Sequence, residues 1–460
     1  MSILALTPVA FRLGWRPSSN DNASADHPTS AASMVNIRYI AWGNPQQLEC
    51  ERAIIQEFNS KCAAEGKLIH VNLEMPPAGG YPQRLLMMFA SGTAPDVCRV
   101  DHYNFAAWTA KGYIRDLTDM AADDPTFHIQ DFHPAALQED YYHGRLCGLT
   151  VLFGGLVCYY NQDLFRRAGL HDPYDLWREG KWTWQAFDDA ADRLTIRVAD
   201  GQTPVYGCSF YNLPNCPAPA VWALWIWREG GTLLSPDHAH SMLDSPEAIR
   251  GITRMRDMVY TRRVSPSPAQ VASNLYSFEA GNVGMYIDFA GLAPRYRELI
   301  QDFQWDIVPT PSNPNDPYTM TKGNQVVISA KCPHPKEAWE WIKFLTSRRA
   351  ELFLCGDAYR RCIPTRVALL HDPEYLEAKQ RPYHADVFAD LLDHPRALPI
   401  DESWFTWTTT ATRFMERLYI DGNTDVERTM TAAASAIDQE LAREHERYRR
   451  YSETGLAHAD

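Results

Sequence analysis

Three short apolar segments decide the fold: VNIRYIAWG at residues 35–43, LIHVNLEM at 68–75 and DVCRV at 96–100. Their alternating or continuous apolar residues predict β-strands. The intervening segments, about 45–61 and 81–90, carry apolar residues at helical spacing. A strand–helix–strand–helix–strand order predicts an open parallel sheet with helices on its faces.

The ends of these strands are the first candidates for a binding site. Ligands of such sheets bind beyond the carboxyl ends of the strands. Trp42 follows the first strand, and Asp101, His102 and Tyr103 follow the third. These residues are therefore candidates for ligand contact, with core packing as the alternative for Trp42.

From Thr150 the chain starts a second unit of strands and helices. Apolar runs predict its strands and helical apolar spacing predicts its helices, with more helix than strand overall. The predicted strands are 151–161, 281–289, 303–311 and 323–330, and the predicted helices are 221–231, 334–347 and most of 404–450.

Charge and aromatic content narrow the class of ligand. The formal net charge is −13, whereas nucleic acids and anionic membranes require clustered Lys and Arg, so neither is a predicted partner. The chain has 14 Trp, 22 Tyr and 18 Phe. Trp and Tyr rings offer an apolar face with one polar atom, which suits sugars, although most of these rings are expected in the core.

The ten cysteines contain no CxxC pair, which argues against a zinc ribbon or a thioredoxin motif. In an oxidising compartment, Cys208 and Cys216, or Cys355 and Cys362, are close enough in sequence to bridge locally. Buried free thiols are the expected state for most of the ten.

The N-terminal residues 1–33 differ in composition from the rest of the chain. A mildly apolar start is interrupted by Pro8, Arg12 and Arg16 and turns polar, and no lipobox cysteine follows. We interpret 1–33 as a poor or truncated export signal with a disordered linker, and 451–460 as a tail. No other segment has the ~18 uninterrupted apolar residues of a membrane span.

Signatures of common enzymes are absent from the sequence. HExxH, GxSxG, GxxxxGK[ST] and GxGxxG do not occur. Asp237, His238 and His240 are interpreted as surface-loop residues, so no metal site and no cofactor are predicted. A glycoside hydrolase needs two carboxylates flanking a glycosidic bond, a possibility that the sequence leaves open.

Five segments occur in an order and spacing typical of one protein family. They are ASGTAPDV at 90–97, YYHGRLCGLTVLFGGLVCYYNQDLFRRAGL at 141–170, FEAGNVGMYID at 278–288, HPKEAWEWIKFLTS at 334–347 and RRCIPTR at 360–366. Together they resemble the extracellular solute-binding proteins of ABC importers, a maltose-binding-protein-like, carbohydrate-binding family. The resemblance spans roughly residues 35–440.

The resemblance implies a two-lobed α/β periplasmic-binding-protein fold with a hinge and a ligand cleft between the lobes. Each lobe is expected to be discontinuous in sequence. The first would comprise 34–148 plus 327–364, and the second 149–326 plus 365–450. A ligand that touches both lobes stabilises the closed state, so hinge closure is expected on binding.

The resemblance also implies a function and a location. The chain is expected to capture a mono- or oligosaccharide and deliver it to the membrane permease of an ABC importer. It would act as a monomer without a cofactor, in the periplasm or outside the cytoplasmic membrane, and would not be an enzyme. A glycoside-processing enzyme and a sugar sensor without a transport role remain the alternatives.

Matching positions supply the predicted ligand-binding residues. Trp rings would cover the C–H faces of a sugar, and carboxylates, amides and Arg would bind its hydroxyl groups. Asp288 is either a ligand contact or a loop cap, at most one of Trp404 and Trp407 faces the cleft, and Trp225 belongs to the core. The set is Trp42, Asn44, Asp101, His102, Phe153 (with Gly154), Trp222, Asp288, Gly323, Asn324, Trp404, Trp407 and Arg413.

The crossover into the second lobe departs from the family pattern. Thr150 replaces the usual Pro, and no carboxylate stands at Phe153 or Gly154. The ligand therefore need not be a maltodextrin.

Overall fold

Eleven strands are present in the part of the chain that the computed structural model describes, which is residues 33–43, 45–76, 79–197, 205–210, 220–273, 275–313, 316–360 and 362–453. They are β1 (Val35–Ile40), β2 (Ile69–Glu74), β3 (Val97–Asp101), β4 (Tyr141–Tyr142), β5 (Arg145–Leu146), β6 (Leu149–Asn161), β7 (Tyr206–Phe210), β8 (Val283–Phe289), β9 (Trp305–Pro309), β10 (Thr319–Ile328) and β11 (Pro395–Ala397).

Helices connect and cover these strands. The first ten are α1 (Pro45–Ala64), α2 (Tyr81–Ser91), α3 (His102–Ala110), α4 (Thr118–Ala122), α5 (Pro134–Gln138), α6 (Gln162–Arg167), α7 (Pro173–Arg178), α8 (Trp184–Leu194), α9 (Ala220–Arg228) and α10 (Pro246–Tyr260). They are followed by α11 (Pro268–Ala272), α12 (Ala293–Leu299), α13 (Pro335–Leu345), α14 (Arg348–Cys355), α15 (Val367–Leu370), α16 (Pro373–Leu376), α17 (Asp386–Asp390), α18 (Trp404–Ile420) and α19 (Val426–Glu453).

The first half of the large sheet has the strand order β2-β1-β3-β10-β6. Strands β1, β2 and β3 are parallel, as the opening strand–helix alternation predicts. Strand β10 is antiparallel to both β3 and β6, so the complete sheet is mixed although its first three strands are parallel. The reason is that β10 returns from the second half of the sheet and inserts between β3 and β6.

The second half of the sheet is built on the same long strand β6. Its residues Leu156–Tyr160 pair with β8, and its residues Val157–Asn161 pair with β9 on the other side. Strand β7 extends this half next to β8. Because β6 and β10 both run through the boundary, the two halves are joined by a hydrogen-bonded ribbon.

Alternating side chains of β6 separate two hydrophobic cores. Leu156, Cys158 and Tyr160 pack into a core with the Trp-rich helix α9 and helices α18 and α19. Val157 and Tyr159 point the other way, into a core that continues to α13 and α14. This alternation has the period of two that a strand buried on both faces requires.

Side-chain caps begin several helices. The Thr183 hydroxyl accepts from Ala186 N at 3.3 Å, which caps helix α8. The Ser245 hydroxyl likewise accepts from Ala248 N at 3.3 Å and caps α10. Such caps satisfy backbone N–H groups that the first turn leaves without a partner.

The helix pair α9 and α10 shows why one glycine is required. A Cβ atom at Gly251 of α10 would lie 2.3 Å from Trp225 O of α9. Only glycine allows this close approach, which buries Trp225. Among the described helices, none combines the length and the apolar character needed to cross a lipid bilayer.

Candidate ligand-binding site

The boundary between the two halves of the sheet falls at a pair of glycines in β6. Gly155 is the last residue of β6 that pairs with β10, and Leu156 is the first that pairs with β8. A Cβ atom at Gly155 would lie 2.8 Å from Met320 O, whereas one at Gly154 would meet no atom within 4 Å. The close packing at Gly155 lets β10 run tightly beside β6 through the boundary.

A charged pair stands at this boundary, between the end of β3 and the middle of β10. Lys322 Nζ lies 2.7 Å from Asp101 Oδ2. Asp101 also accepts a hydrogen bond from Tyr103 N at 3.1 Å, which caps α3 and fixes the carboxylate. The side chains of Asp101 and Lys322 are 22% and 14% exposed, so water and small solutes can reach them.

Aromatic rings surround this ion pair. The Lys322 ammonium lies 4.2 Å from the ring centroid of Tyr103 and 5.6 Å from that of Phe289. Tyr103 in turn stacks on Trp404, with centroids 5.1 Å apart and planes at 3°. We call Asp101, Tyr103, Phe289, Lys322 and Trp404 the junction cluster.

The junction cluster draws on both halves of the molecule. Asp101 and Tyr103 come from β3 and α3, Phe289 ends β8, and Trp404 begins α18. Lys322 belongs to the crossing strand β10. The cluster therefore combines aromatic faces, a carboxylate and an ammonium at the point where the halves meet.

A second group of rings stands at the end of β1. Trp42 is half-buried and packs on Tyr81 at a centroid distance of 4.7 Å. The Arg99 guanidinium covers the Trp42 ring at 4.4 Å. Rings that are fixed in this way and remain partly accessible can stack on a ligand without losing further side-chain freedom.

A cavity of about 540 Å³ is lined by His102, which stands between Asp101 and Tyr103 in sequence, although the members of the junction cluster do not line it themselves. One wall comes from the region of His102 to His143, and the other from Trp227 to His238 and from Arg396 to Glu402. This size is within the range of about 300–1,000 Å³ typical of small-molecule sites. The cavity therefore opens between the two halves of the molecule.

The floor of the cavity contains buried ionisable groups. Burial raises the pKa of Glu139 to about 8. Its Oε2 atom accepts from Gly323 N at 2.6 Å, while Oε1 has no hydrogen-bond partner among the described residues. Burial lowers the pKa of His102 to about 4. Burial therefore favours the uncharged form of both side chains.

Position 323 requires glycine because the surrounding side chains leave no space for a Cβ atom. A Cβ atom there would lie 2.8 Å from Thr150 Cγ2 and 2.9 Å from Glu139 Oε2. The Thr150 hydroxyl donates to Asp140 Oδ1 at 2.7 Å, so this threonine has a defined structural role.

Hydrogen bonds join residues of the cavity wall, both across the cavity and within one side of it. The Tyr142 hydroxyl donates to Glu402 Oε1, and His143 Nε2 lies 3.1 Å from the same oxygen. His238 Nδ1 lies 2.7 Å from Asp401 Oδ2. Groups of His, Cys, Asp and Glu arranged to hold a metal ion do not occur in the described part of the chain.

Comparison with known proteins assigns this architecture to a family. Residues 50–351 match the bacterial extracellular solute-binding proteins. The chain belongs to this family. Its members bind solutes and are not enzymes, so the expectation of a non-catalytic protein is confirmed by family membership.

A relative of this solute-binding protein matches it over most of the length of both chains. A Brucella abortus protein described as a binding protein is 23% identical over 396 residues, which cover 83% of this chain and 88% of the relative.

Two solved structures have the same two-lobed fold. An ABC substrate-binding protein of Listeria monocytogenes in complex with cycloalternan has a TM-score of 0.76 at 21% identity and covers 88% of this chain and 99% of its own. The sugar-binding protein MalE of Xanthomonas citri has a TM-score of 0.71 at 18% identity, with coverages of 90% and 99%. The predicted fold class is thereby confirmed.

The structure of this solute-binding protein brings some predicted ligand residues together. Asp101 and Trp404 meet in the junction cluster, and His102 lines the adjoining cavity. Gly323 and Asn324 follow Lys322 in β10, and Asn324 pairs with Asp101 across the sheet. Asn44 lies outside the described residues.

Other predicted residues lie away from any accessible surface. Phe153 and Trp407 are fully buried, and Trp404, Asp288 and Trp222 are 1%, 2% and 3% exposed, so Trp404 supports the ring of Tyr103 from within the core. Their side chains cannot touch a ligand in this conformation, because they face hydrophobic cores or the interior of the sheet. Trp225 is in the core, as expected.

Arg413, a predicted ligand-binding residue, is exposed to solvent rather than buried. It is exposed on helix α18 and does not line the described cavity. The helical period explains this placement, because Ala411 and Met415 occupy the buried face of the same helix.

Lys322, Phe289 and Glu139 were not among the predicted ligand-binding residues. Lys322 directly precedes Gly323 and Phe289 directly follows Asp288, so each adjoins a predicted residue. A shift of one residue in a strand reverses the side-chain direction, and a resemblance between short segments does not fix that direction. Glu139 gave no sequence signal, because its role depends on the distant strand β10.

Proposed function

We propose that this chain captures a neutral carbohydrate between its lobes and delivers it to the permease of an ABC importer at the outer face of the membrane. The observation that carries the proposal is the junction cluster, in which the Asp101–Lys322 pair stands among aromatic rings at the meeting point of the lobes. The extracellular character of the family supports the location.

The chemistry of the cluster suits a sugar. Hydroxyl groups exchange their hydrogen bonds with water for bonds to a carboxylate and an ammonium, which contribute about 1.5–3 kcal/mol each. The rings of Tyr103 and Trp42 supply apolar faces for C–H groups. Because Asp101 and Lys322 neutralise each other, the site favours a ligand without net charge.

The crossing strands explain how binding would be coupled to closure. Strands β6 and β10 connect the lobes, and Gly154 gives β6 a residue without steric restraint at the boundary. A ligand that contacts both lobes stabilises only the closed state. The solved relatives with bound or named sugars support carbohydrate as the ligand class.

The proposal is tested by thermal unfolding of the full chain against a panel of sugars, polyols, amino acids and polyamines. A ligand at about 100 times its dissociation constant stabilises the fold by roughly 2.7 kcal/mol. We expect a selective rise of several degrees in the midpoint with one sugar class. Calorimetric titration would then give its affinity, and chromatography should show the sugar unchanged.

A matched pair of variants locates the site. Lys322→Met should abolish most of the shift, because it removes the cation of the junction cluster. Lys111→Met changes an exposed lysine and should leave the shift intact. A shift with polyamines or amino acids but none with sugars would overturn the carbohydrate assignment. A sugar shift unaffected by Lys322→Met would move the site elsewhere.

A further inference from the structure

Two cysteines come together beside the strands that join the lobes. Cys355 ends helix α14, and Cys362 follows seven positions later. Their Sγ atoms are 3.0 Å apart, and both side chains are buried. This separation exceeds the length of a disulfide bond, about 2.05 Å, by only about 1 Å. Small rotations of the two side chains therefore suffice to bond the sulfurs.

The surroundings give this pair a structural purpose. Cys362 begins the segment 362–366, whose residue Ile363 donates from its N–H to Phe153 O of β6 at 2.7 Å. At its other end, the segment donates two backbone N–H groups to the Glu351 carboxylate of α14, at 3.2 and 3.1 Å. A bond from Cys355 to Cys362 would tie the near end of the segment to the same helix.

We propose that Cys355 and Cys362 form a disulfide when the protein folds outside the cytoplasm. Extracellular compartments are oxidising and retain disulfides, and the family is extracellular. The inference goes beyond ligand binding and does not depend on the identity of the solute.

The chemistry requires an oxidant, which would be a disulfide of a thiol–disulfide oxidoreductase or, in vitro, oxidised glutathione. One cysteine thiolate attacks a sulfur of the oxidant, forms a mixed disulfide and releases one thiolate. The second cysteine thiolate then attacks the protein sulfur of that mixed disulfide and releases the second. Two protein thiols lose two electrons and two protons, and the oxidant disulfide becomes two thiols.

Burial determines when this exchange occurs. Desolvation raises the pKa of the Cys355 thiol well above its usual value. Because the thiolate is the attacking species, exchange is slow in the closed core and fast while the segment is still open. The bond is therefore made during folding and is afterwards shielded from reductants.

Trypsin provides a direct test, because Arg361 lies between the two cysteines. The full chain is refolded with oxidised and reduced glutathione, denatured, alkylated at acidic pH and digested without reductant. We expect peptide 350–360 to be linked to peptide 362–366, with a mass equal to their sum less two hydrogens. Reduction of the digest should release the two separate peptides.

Control variants make the result specific. Cys355→Ala should leave Cys362 alkylated, whereas Cys158→Ala, which changes another buried cysteine, should leave the cross-link in place. The proposal is overturned if both peptides carry the alkylating group after oxidative refolding. The thiol of Cys50 is close enough to raise the pKa of Cys355 further. The proposal is therefore also overturned if Cys50 forms a disulfide with Cys355 or Cys362.

A stability measurement gives an independent readout. Closing this short loop constrains the unfolded chain, so the oxidised protein should unfold a few degrees above the protein refolded with a phosphine reductant. Equal unfolding midpoints for the oxidised and the reduced protein would contradict a stabilising role of the disulfide.

Discussion

Two ion pairs stand two residues apart along strand β3, and they differ in burial. Arg99 pairs with Glu51 of α1, and both side chains are at most 1% exposed. Asp101 pairs with Lys322 and remains partly accessible. The first pair is enclosed by the core and holds a helix against the sheet. The second pair, Asp101 and Lys322, is accessible enough for the hydroxyl groups of a ligand to form hydrogen bonds with it.

The buried pair also contacts the aromatic residues of β1 and its end. The Tyr39 hydroxyl donates to Glu51 Oε2 at 3.3 Å, and the Arg99 guanidinium covers Trp42 at 4.4 Å. Arg99 therefore positions the Trp42 ring, while Asp101 remains partly accessible at the end of the same strand. The buried Arg99 guanidinium therefore holds the half-buried Trp42 ring in a fixed orientation.

The largest effect is expected from breaking the buried pair. Arg99→Met leaves the Glu51 carboxylate in the core without its cation, which should lower the free energy of unfolding by about 3–5 kcal/mol. Urea denaturation measures this loss. The double variant Glu51→Gln/Arg99→Met should recover part of it, because no uncompensated charge remains. A loss below about 1 kcal/mol in the single variant would show that the pair is not integral to the core.

The accessible pair should respond in affinity rather than in stability. Asp101→Asn retains a cap for α3 but removes the charge. We expect the free energy of unfolding to change by less than about 1 kcal/mol, and the dissociation constant of the sugar to rise about 10–100-fold. Calorimetric titration checks this, with Asp119→Asn, at an exposed position, as the matched control. Unchanged affinity would remove Asp101 from the site.

A third carboxyl group, that of Asp288, is buried, and its effect on stability should depend on pH. Burial raises its pKa to about 8, against about 3.9 in an unfolded chain. The folded state holds this proton more tightly, so its contribution to stability is full below about pH 4 and is lost as the pH rises towards 8.

Asp288→Asn should therefore flatten the fall in stability between about pH 5 and 8, by at most roughly 1.4 kcal/mol per pH unit. Urea midpoints across that range provide the measurement. Glu139 and Asp140, whose pKa values burial also raises to about 8, would preserve a smaller slope. Identical slopes for the variant and the parent would mean that Asp288 is ionised in the fold.

The smallest effect is expected at Arg413. Its side chain is exposed on α18, so Arg413→Ala should change the free energy of unfolding by less than about 0.5 kcal/mol. The same variant should bind the sugar with the affinity of the parent, as titration would show. A clear loss of affinity would restore Arg413 to the cleft and would indicate a different closed geometry.

The fold was predictable because its signals are local. The apolar patterns of 35–40 and 69–74 each depend on a few neighbouring residues. Strand β10 shows the limit, because it begins at Thr319 and not at the predicted residue 323. Its extra residues Thr319–Thr321 pair with β11, more than seventy positions away, which no local pattern reveals.

The site was only partly predictable for the same reason. Asp101 was predicted as a candidate because strand ends form binding edges, a rule that needs only the order of elements. Lys322 reaches Asp101 because β10 inserts beside β3, a pairing across 221 positions of sequence. Trp222 and Trp407 were assigned to the cleft by the family resemblance, but the direction of a helix face depends on packing.

The position of β10 within the sheet also governs how the chain can be made. Strands β1 to β3 are translated early, yet β10 must lie between β3 and β6 before that half of the sheet is continuous. A nascent chain cannot complete this sheet until residue 328 has left the ribosome. Such long-range pairing slows folding, and slow folding leaves time for a polypeptide to be threaded through a translocation pore before it becomes rigid.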